Sequence, residues 1–153
     1  MKIIVDDLKG EQIFNLLNEH LKDMYAVSPA ESVHALDIDE LKHPNITFWS
    51  IWENEALAGC GAIKELSNTE AEIKSMRTSA EFRRRGVAST MLSHIVAEAS
   101  KRNYQTLYLE TGPVDYFRPA VELYKRFGFE ECGPFANYGL DPFSLFMKKA
   151  LRW

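Results

Sequence analysis

The order of apolar and polar positions divides the 153-residue chain into short segments with two different periods. Ile3, Ile4 and Val5 predict a short strand over residues 2–6. Over residues 10–26, Ile13, Leu16, Leu17, Leu21 and Met24 recur at spacings of 3, 1, 4 and 3, which is one face of a helix. Ser28-Pro29 breaks that pattern and marks Val27–His34 as a loop. Asp37–Lys42 predicts a short helix, stopped by Pro44-Asn45. Two strand-like runs follow, Ile46–Trp52 and Ala56–Leu66, joined by the polar turn Glu53-Asn54-Glu55. Ser67-Asn68-Thr69 makes a second turn, and Glu70–Thr78 is a third run. Strands so closely linked predict an antiparallel meander.

After Gly86 the pattern changes to a helical period. Ala88, Met91, Leu92, Ile95, Val96 and Ala99 share a face, and Lys101, Arg102 and Asn103 suit the helix end. Thr106–Thr111 alternates, with Leu107 and Leu109 on one side and Tyr108 and Glu110 on the other. Residues 116–127 predict a helix begun near Pro119 and ended by Gly128, with Val121, Tyr124 and Phe127 as a stripe. Phe129–Pro134 and Pro142–Lys149 predict two final strands. The order β-α-α-β-β-β-α-β-α-β-β describes an α/β (α+β layered) fold, with a mixed, mainly antiparallel twisted sheet flanked by helices. The strand–helix–strand unit at 70–111 is expected to be parallel and right-handed, with a ligand crevice where its strands end.

Composition narrows the class. The length suits one domain over residues 1–153, and 46% hydrophobic with 26% charged residues suits a packed core. A net charge of −4 argues against nucleic acid as a partner, while leaving room for one local basic pocket. Cys60 and Cys132 lie far apart, and neither has a Cys or His at metal-ligand spacing, so two free buried thiols and no metal are expected. The apolar start is too short for a signal peptide, and no run has membrane-spanning length. A cytoplasmic protein with no membrane partner is expected.

The stretch Met76–Thr90 carries the chemistry. It joins a strand to a helix N-terminus, where free N–H groups and the positive end of the helix dipole attract anions. Gly86 removes a Cβ where a phosphate must approach, Ala88 keeps the next approach small, and the arginines add charge. Neither G-x-x-x-x-G-K-[ST] nor G-x-G-x-x-G is present. On the turn alone, a solvated charge run ahead of an ordinary helix remains an equal reading.

Arg83-Arg84-Arg85-Gly86-Val87-Ala88 resembles the [Q/R]-x-x-G-x-[G/A] signature of the GNAT superfamily of acyl-CoA-dependent N-acetyltransferases. Glu72-Ile73-Lys74-Ser75-Met76 is similar to its bulged fourth strand. Ala120-Val121-Glu122-Leu123-Tyr124-Lys125-Arg126-Phe127-Gly128-Phe129 resembles its A-x-x-x-Y-x-x-x-G-F element. Ser28–Leu36, Leu109–Gly112 and Gly133-Pro134-Phe135 resemble a bacterial subgroup of that superfamily. One departure is Phe117, where many members carry an asparagine that orients the pantetheine arm.

The resemblance implies an enzyme that uses acetyl-CoA as co-substrate and transfers acetyl directly to a primary amine of a small molecule or amino acid. Its pyrophosphate would lie on Arg83, Arg84, Arg85, Gly86, Val87, Ala88 and Ser89, and its pantetheine arm beside Met76, Arg77 and Thr78. A bulge near Met76 would aim an N–H at the thioester oxygen. Tyr124 is the candidate general acid, and Glu72 the leading candidate base, with Glu110 the runner-up. Glu72 and Met76 share a strand face unless a bulge intervenes. Tyr25, Ser32 and His34 on one side, and Phe135, Tyr138 and Ser144 on the other, are candidates for the acceptor side. The superfamily allows a homodimer, which no residue here marks. An inactive CoA-binding module of the same fold is the alternative.

Overall fold

The computed structural model describes residues 1–151, so the C-terminal limit of the expected 1–153 domain lies outside them. The elements in chain order are β1 (Lys2–Val5), α1 (Glu11–Val27), α2 (Ile38–Leu41), β2 (Ile46–Glu53), β3 (Ala56–Glu65), β4 (Glu70–Thr78), α3 (Val87–Lys101), β5 (Thr106–Thr111), α4 (Arg118–Arg126), β6 (Glu130–Cys132) and β7 (Leu145–Ala150). Short 3-10 turns precede α2, α3 and α4. The seven strands form one sheet in the order β1-β2-β3-β4-β5-β7-β6. Only β4 and β5 pair in parallel; the other described pairs are antiparallel. This is the mixed, mainly antiparallel sheet that the hydrophobic pattern predicts.

Period-2 alternation on the central strands feeds two cores. Ile63, Ile73, Leu107, Leu109 and Met147 pack with Met91, Leu92 and Ile95 of α3. Phe48, Cys60 and Ala62 pack with Ile13, Leu16 and Leu17 of α1. On β3, Cys60 and Ala62 join the α1 core and Ile63 the α3 core, so the sheet is a layer between helices.

The helix ends follow their capping chemistry. Asp37 opens α2 with a capping box, in which its side chain accepts from Glu40 N–H and Glu40 reaches back to Asp37 N–H. Gly128, at φ +89, ends α4. There Phe129 N–H donates to the Tyr124 carbonyl at 3.0 Å, and Gly128 N–H to that of Lys125 at 3.0 Å. That cap fixes the Tyr124 end of α4 against β6.

The last two strands are shorter than their apolar runs predict. The 133–144 connection is a loop, because Pro134 and Pro142 have no N–H to offer a ladder. The loop folds on its own turns instead, with Tyr138 N–H on the Phe135 carbonyl and Ser144 N–H on that of Asp141, both at 3.0 Å. The expected helix over 116–127 divides into a 3-10 turn, Asp115–Phe117, and then α4.

Candidate active site

Parallel pairing of β4 with β5 covers only Glu70–Ile73 against Thr106–Leu109. Beyond those residues the facing backbone edges no longer pair, although β4 runs on to Thr78 and β5 to Thr111. A bulge accompanies the separation. Cys60 pairs with Arg77 and Ala62 with Lys74, so Gly61 alone opposes Ser75 and Met76. Ser75 adopts φ +55, a left-handed conformation that non-glycine residues rarely hold. Gly61 makes room for the shift. A Cβ there would come 2.8 Å from Met76 Sδ and 2.9 Å from Ile95 Cδ1.

The bulge decides which side chains face the gap. Met76 packs against the α3 core together with Ile73, so it no longer shares a face with Glu72. Glu72 instead sits 2% exposed on the α1 side. Its carboxylate accepts from Tyr138 Oη at 2.6 Å and from Lys74 Nζ at 3.3 Å. It lies outside the wall of the crevice between the splayed strands.

That crevice is a pocket of about 100 Å³. Its wall includes Ser75, Met76, Glu110, Thr111 and Tyr124, with His20 and Met24 from α1 and Ser32 and His34 from the loop beyond it. Burial pushes the Glu110 carboxyl up from its ordinary 4.5 to about 7. Ser144 Oγ lies close enough to favour the ionised form, yet it holds no hydrogen bond of good geometry. Lys74 also favours ionisation, whereas Glu72 and Asp141 oppose it. Burial raises the Tyr124 phenol as well, so its hydroxyl stays protonated. Burial and the nearby Arg77 charge lower His20 to about 4, so this imidazole is neutral.

A wider groove of about 690 Å³ adjoins the pocket and shares His20, Met24 and Phe117 with it. Thr78, Arg83, Arg84, Gly86, Val87, Ala88 and Ser89 line one side, and Pro119, Ala120 and Arg126 the other. Arg84 at φ +63 and Gly86 at φ +80 turn the chain sharply into α3. The first intrahelical bond there is Thr90 N–H to the Gly86 carbonyl, so the N–H groups of Val87, Ala88 and Ser89 lack intrahelical partners. Among the described residues, Arg83, Arg84 and Arg126 make no ion pair. The groove is therefore basic at the mouth of a helix N-terminus.

Not every residue singled out in the sequence comes to this site. Arg85 turns away: its Nη2 donates to both Glu53 carboxylate oxygens at 3.1 Å, and its guanidinium lies 4.8 Å over Phe82. Arg77 lines the groove, but its guanidinium is spent on α1, with Glu19 and Asp23 each at 2.7 Å. Tyr25 is 56% exposed and outside both walls. Phe135 stacks on Tyr108 at 4.6 Å and lines a separate groove. Tyr138 stands behind the pocket, holding Glu72, with His34 edge-on at 4.9 Å. Ser32 lines the pocket and donates to Asp141 Oδ2 at 2.6 Å, linking the loop after α1 to the 133–144 loop. Phe117 packs directly over Gly112, whose missing Cβ is what admits the ring.

Sequence reasoning passed over His20, Met24, Lys74, Arg126 and Asp141. Lys74 carried a signal, since a lysine inside a buried strand demands partners. The others are ordinary polar or apolar helix and loop positions whose role exists only once α1, α4 and the loops converge. Among the described residues, no three His, Cys, Asp or Glu side chains gather to hold a metal, and no helix is long and apolar enough to cross a membrane.

Comparison with known proteins agrees with this geometry. Residues 11–129 match the Acetyltransferase (GNAT) family. The chain is 56% identical over 151 residues to the uncharacterized N-acetyltransferase YsnE of Bacillus subtilis, covering 99% of this chain and 100% of that one. It is 46% identical over 149 residues to the uncharacterized N-acetyltransferase YedL of Escherichia coli, covering 97% and 94%. In fold it is similar to a GNAT-family acetyltransferase from Staphylococcus aureus, with a TM-score of 0.76, 20% identity, and 99% of both chains covered. With a matched family pattern and near full-length kinship to two N-acetyltransferases, the chain belongs to the GNAT family, as an acetyl-CoA-dependent acyltransferase.

Proposed function

We propose that this enzyme transfers acetyl from acetyl-CoA to a primary amine of a small molecule or amino acid, by direct attack while both are bound. The observation that carries the proposal is the shared wall of the small pocket. Glu110 and Tyr124 face the same space as the bulge at Ser75–Met76, and that space opens into the basic groove.

The groove suits the donor. The unpaired N–H groups at the start of α3, with Arg83, Arg84 and Arg126, fit a pyrophosphate. The unpaired edge of β4 offers backbone groups to an amide-bearing arm, as a strand would. Phe117, in place of the asparagine usual in the family, gives that arm an apolar face instead of a hydrogen bond.

Each residue then has a task. The carboxylate of Glu110 takes the proton from the attacking nitrogen as the C–N bond forms. An N–H of the bulge at Ser75–Met76 faces the charge that develops on the carbonyl oxygen. The Tyr124 hydroxyl donates to the sulfur as the C–S bond breaks, which helps a thiolate whose own acid has a pKa of about 8.5. Glu72 supports the pocket from behind, through Tyr138 and Lys74. Release of free thiol from acetyl-CoA, measured with a panel of primary amines, tests the reading. A protein that binds acetyl-CoA yet releases no thiol with any amine would sink it.

A further inference from the structure

The charges around the acceptor pocket are unevenly spent. Lys74 lines the wall, but an ammonium has three N–H donors, and all three are used. They go to the His34 carbonyl at 3.1 Å, Tyr138 Oη at 2.9 Å and Glu72 Oε2 at 3.3 Å. His20, the pocket residue shared with the groove, is neutral. The His34 ring stands edge-on to Tyr138 at 4.9 Å, beside Asp141.

Among the described residues, the two anions Glu110 and Asp141 make no ion pair, although Asp141 accepts neutral hydrogen bonds. Glu110 faces the pocket without a firm hydrogen bond. Asp141 stands just outside the lining, where its carboxylate accepts from the hydroxyl of the wall residue Ser32 at 2.6 Å and from the backbone N–H of the wall residue Phe143 at 2.8 Å. Those two bonds hold the Asp141 carboxyl below its usual range, so it stays ionised. The remaining wall is apolar, with Met24, Val33, Ile73, Leu109, Phe117 and Phe143.

We infer that the acceptor is a compact, apolar primary amine with no carboxylate on the carbon that bears the nitrogen. The inference rests on the acetyl-transfer reading with Glu110 as base. The ammonium enters past Asp141 and gives up its proton at Glu110. An α-carboxylate entering beside it meets two carboxylates and, among the described residues that line the pocket, no unspent cation. Size sets a further limit. A cavity of about 150 Å³ holds one benzene, so about 100 Å³ leaves space for the acetyl group and only a few heavy atoms of the amine. Longer apolar substituents extend toward Phe143 at the mouth.

The test uses matched acceptors at pH 8 with thiol release as readout: 3-methylbutylamine, leucinamide and leucine, then phenethylamine and phenylalanine. The amines are expected to exceed their amino acids in kcat/KM by at least about tenfold, the scale of a like-charge contact near a protein surface. Leucinamide, which keeps the shape and loses the charge, is expected to follow the amine. Asp141→Asn is expected to raise KM for the amines about threefold with kcat little changed, and to narrow the gap to leucine. Leucine turned over as well as 3-methylbutylamine overturns the inference and leaves acetyl transfer standing. Leucinamide as poor as leucine also overturns it, because shape rather than charge then discriminates. Thiol release with none of these, alongside intact acetyl-CoA binding, brings down the acetyl-transfer reading and this inference together.

Discussion

Glu110 sits between Leu109 and Thr111 on β5, and burial holds its carboxyl near 7. A base must be ionised to accept a proton, so the rate is expected to rise with pH through about 7 and then level off. Glu110→Gln is expected to lower kcat by about 10²-fold and to abolish that step in the pH profile. The same group affects stability with the opposite sign. Its folded pKa is raised, so the folded state binds the proton more tightly than the unfolded chain. The resulting penalty is absent below about 4.5, grows between 4.5 and about 7, and is complete above that. Glu110→Gln removes about 3 kcal/mol of penalty, which predicts a melting temperature about 6–12 °C higher at pH 8 and no gain near pH 4. Calorimetry at the two pH values checks this. Tyr124→Phe is a separate case: turnover is expected to fall about 10²-fold with CoA affinity nearly intact, and unchanged turnover removes Tyr124 as the acid.

The two carboxylates show what could be read at this scale. A glutamate among leucines on an alternating strand is visible in the sequence as an odd charge, and so are Glu72 and Lys74. Which one reaches the crevice is not visible. That depends on Tyr138, 66 residues downstream of Glu72, reaching its carboxylate, and on a bulge whose cause lies on the neighbouring strand.

At the scale of elements, the strand-to-helix turn and the bulge are the two parts that a single substitution can disable. Gly86 starts α3 at φ +80, where a β-branched side chain is strained. Gly86→Val is expected to weaken CoA binding at least about tenfold by isothermal titration, since the N–H groups beyond it lose their aim. Gly61→Ala adds a methyl group 2.8 Å from Met76 Sδ. It is expected to lower stability by about 1–3 kcal/mol in denaturant unfolding. Most elements were legible because period 2 and period 3.6 are strong signals, as over Thr106–Thr111 and after Gly86. The last two strands were legible too, but not their bounds, because Pro134 and Pro142 take the flanking residues out of the ladder and Phe135 builds an aromatic cluster with Tyr138 and Phe146 instead. Arg83–Ala88 was legible as a turn into a helix N-terminus, but nothing in its spacing marks Arg85 as the arginine that turns to Glu53.

For the whole molecule, a chain of net charge −4 concentrates unpaired arginines at one groove. Screening acts over a Debye length of about 10 Å at 0.1 M salt. The KM for acetyl-CoA is therefore expected to rise by about threefold or more between 0.05 and 0.5 M salt, while kcat at saturation changes little. A flat KM would mean that the groove's charge contributes nothing to donor capture. The fold class and layer order were legible at this scale, since element order alone restricts the topology. The small pocket was not, because α1, β4, β5, α4 and two loops each supply a part of it.

The early end of pairing between β4 and β5 has one more consequence. Sheet proteins guard their outer edges, because an unpaired strand invites a stranger. Here the guard is needed in the interior of the sheet, at Lys74–Thr78 facing Glu110 and Thr111. On the proposed reading, a side chain that capped that edge would block the donor. The donor would then also be the chaperone of its own site, closing the open seam between the strands when it binds. Light scattering during heating is expected to begin at a lower temperature for the empty protein than for the CoA-loaded one, by more than the shift in unfolding itself.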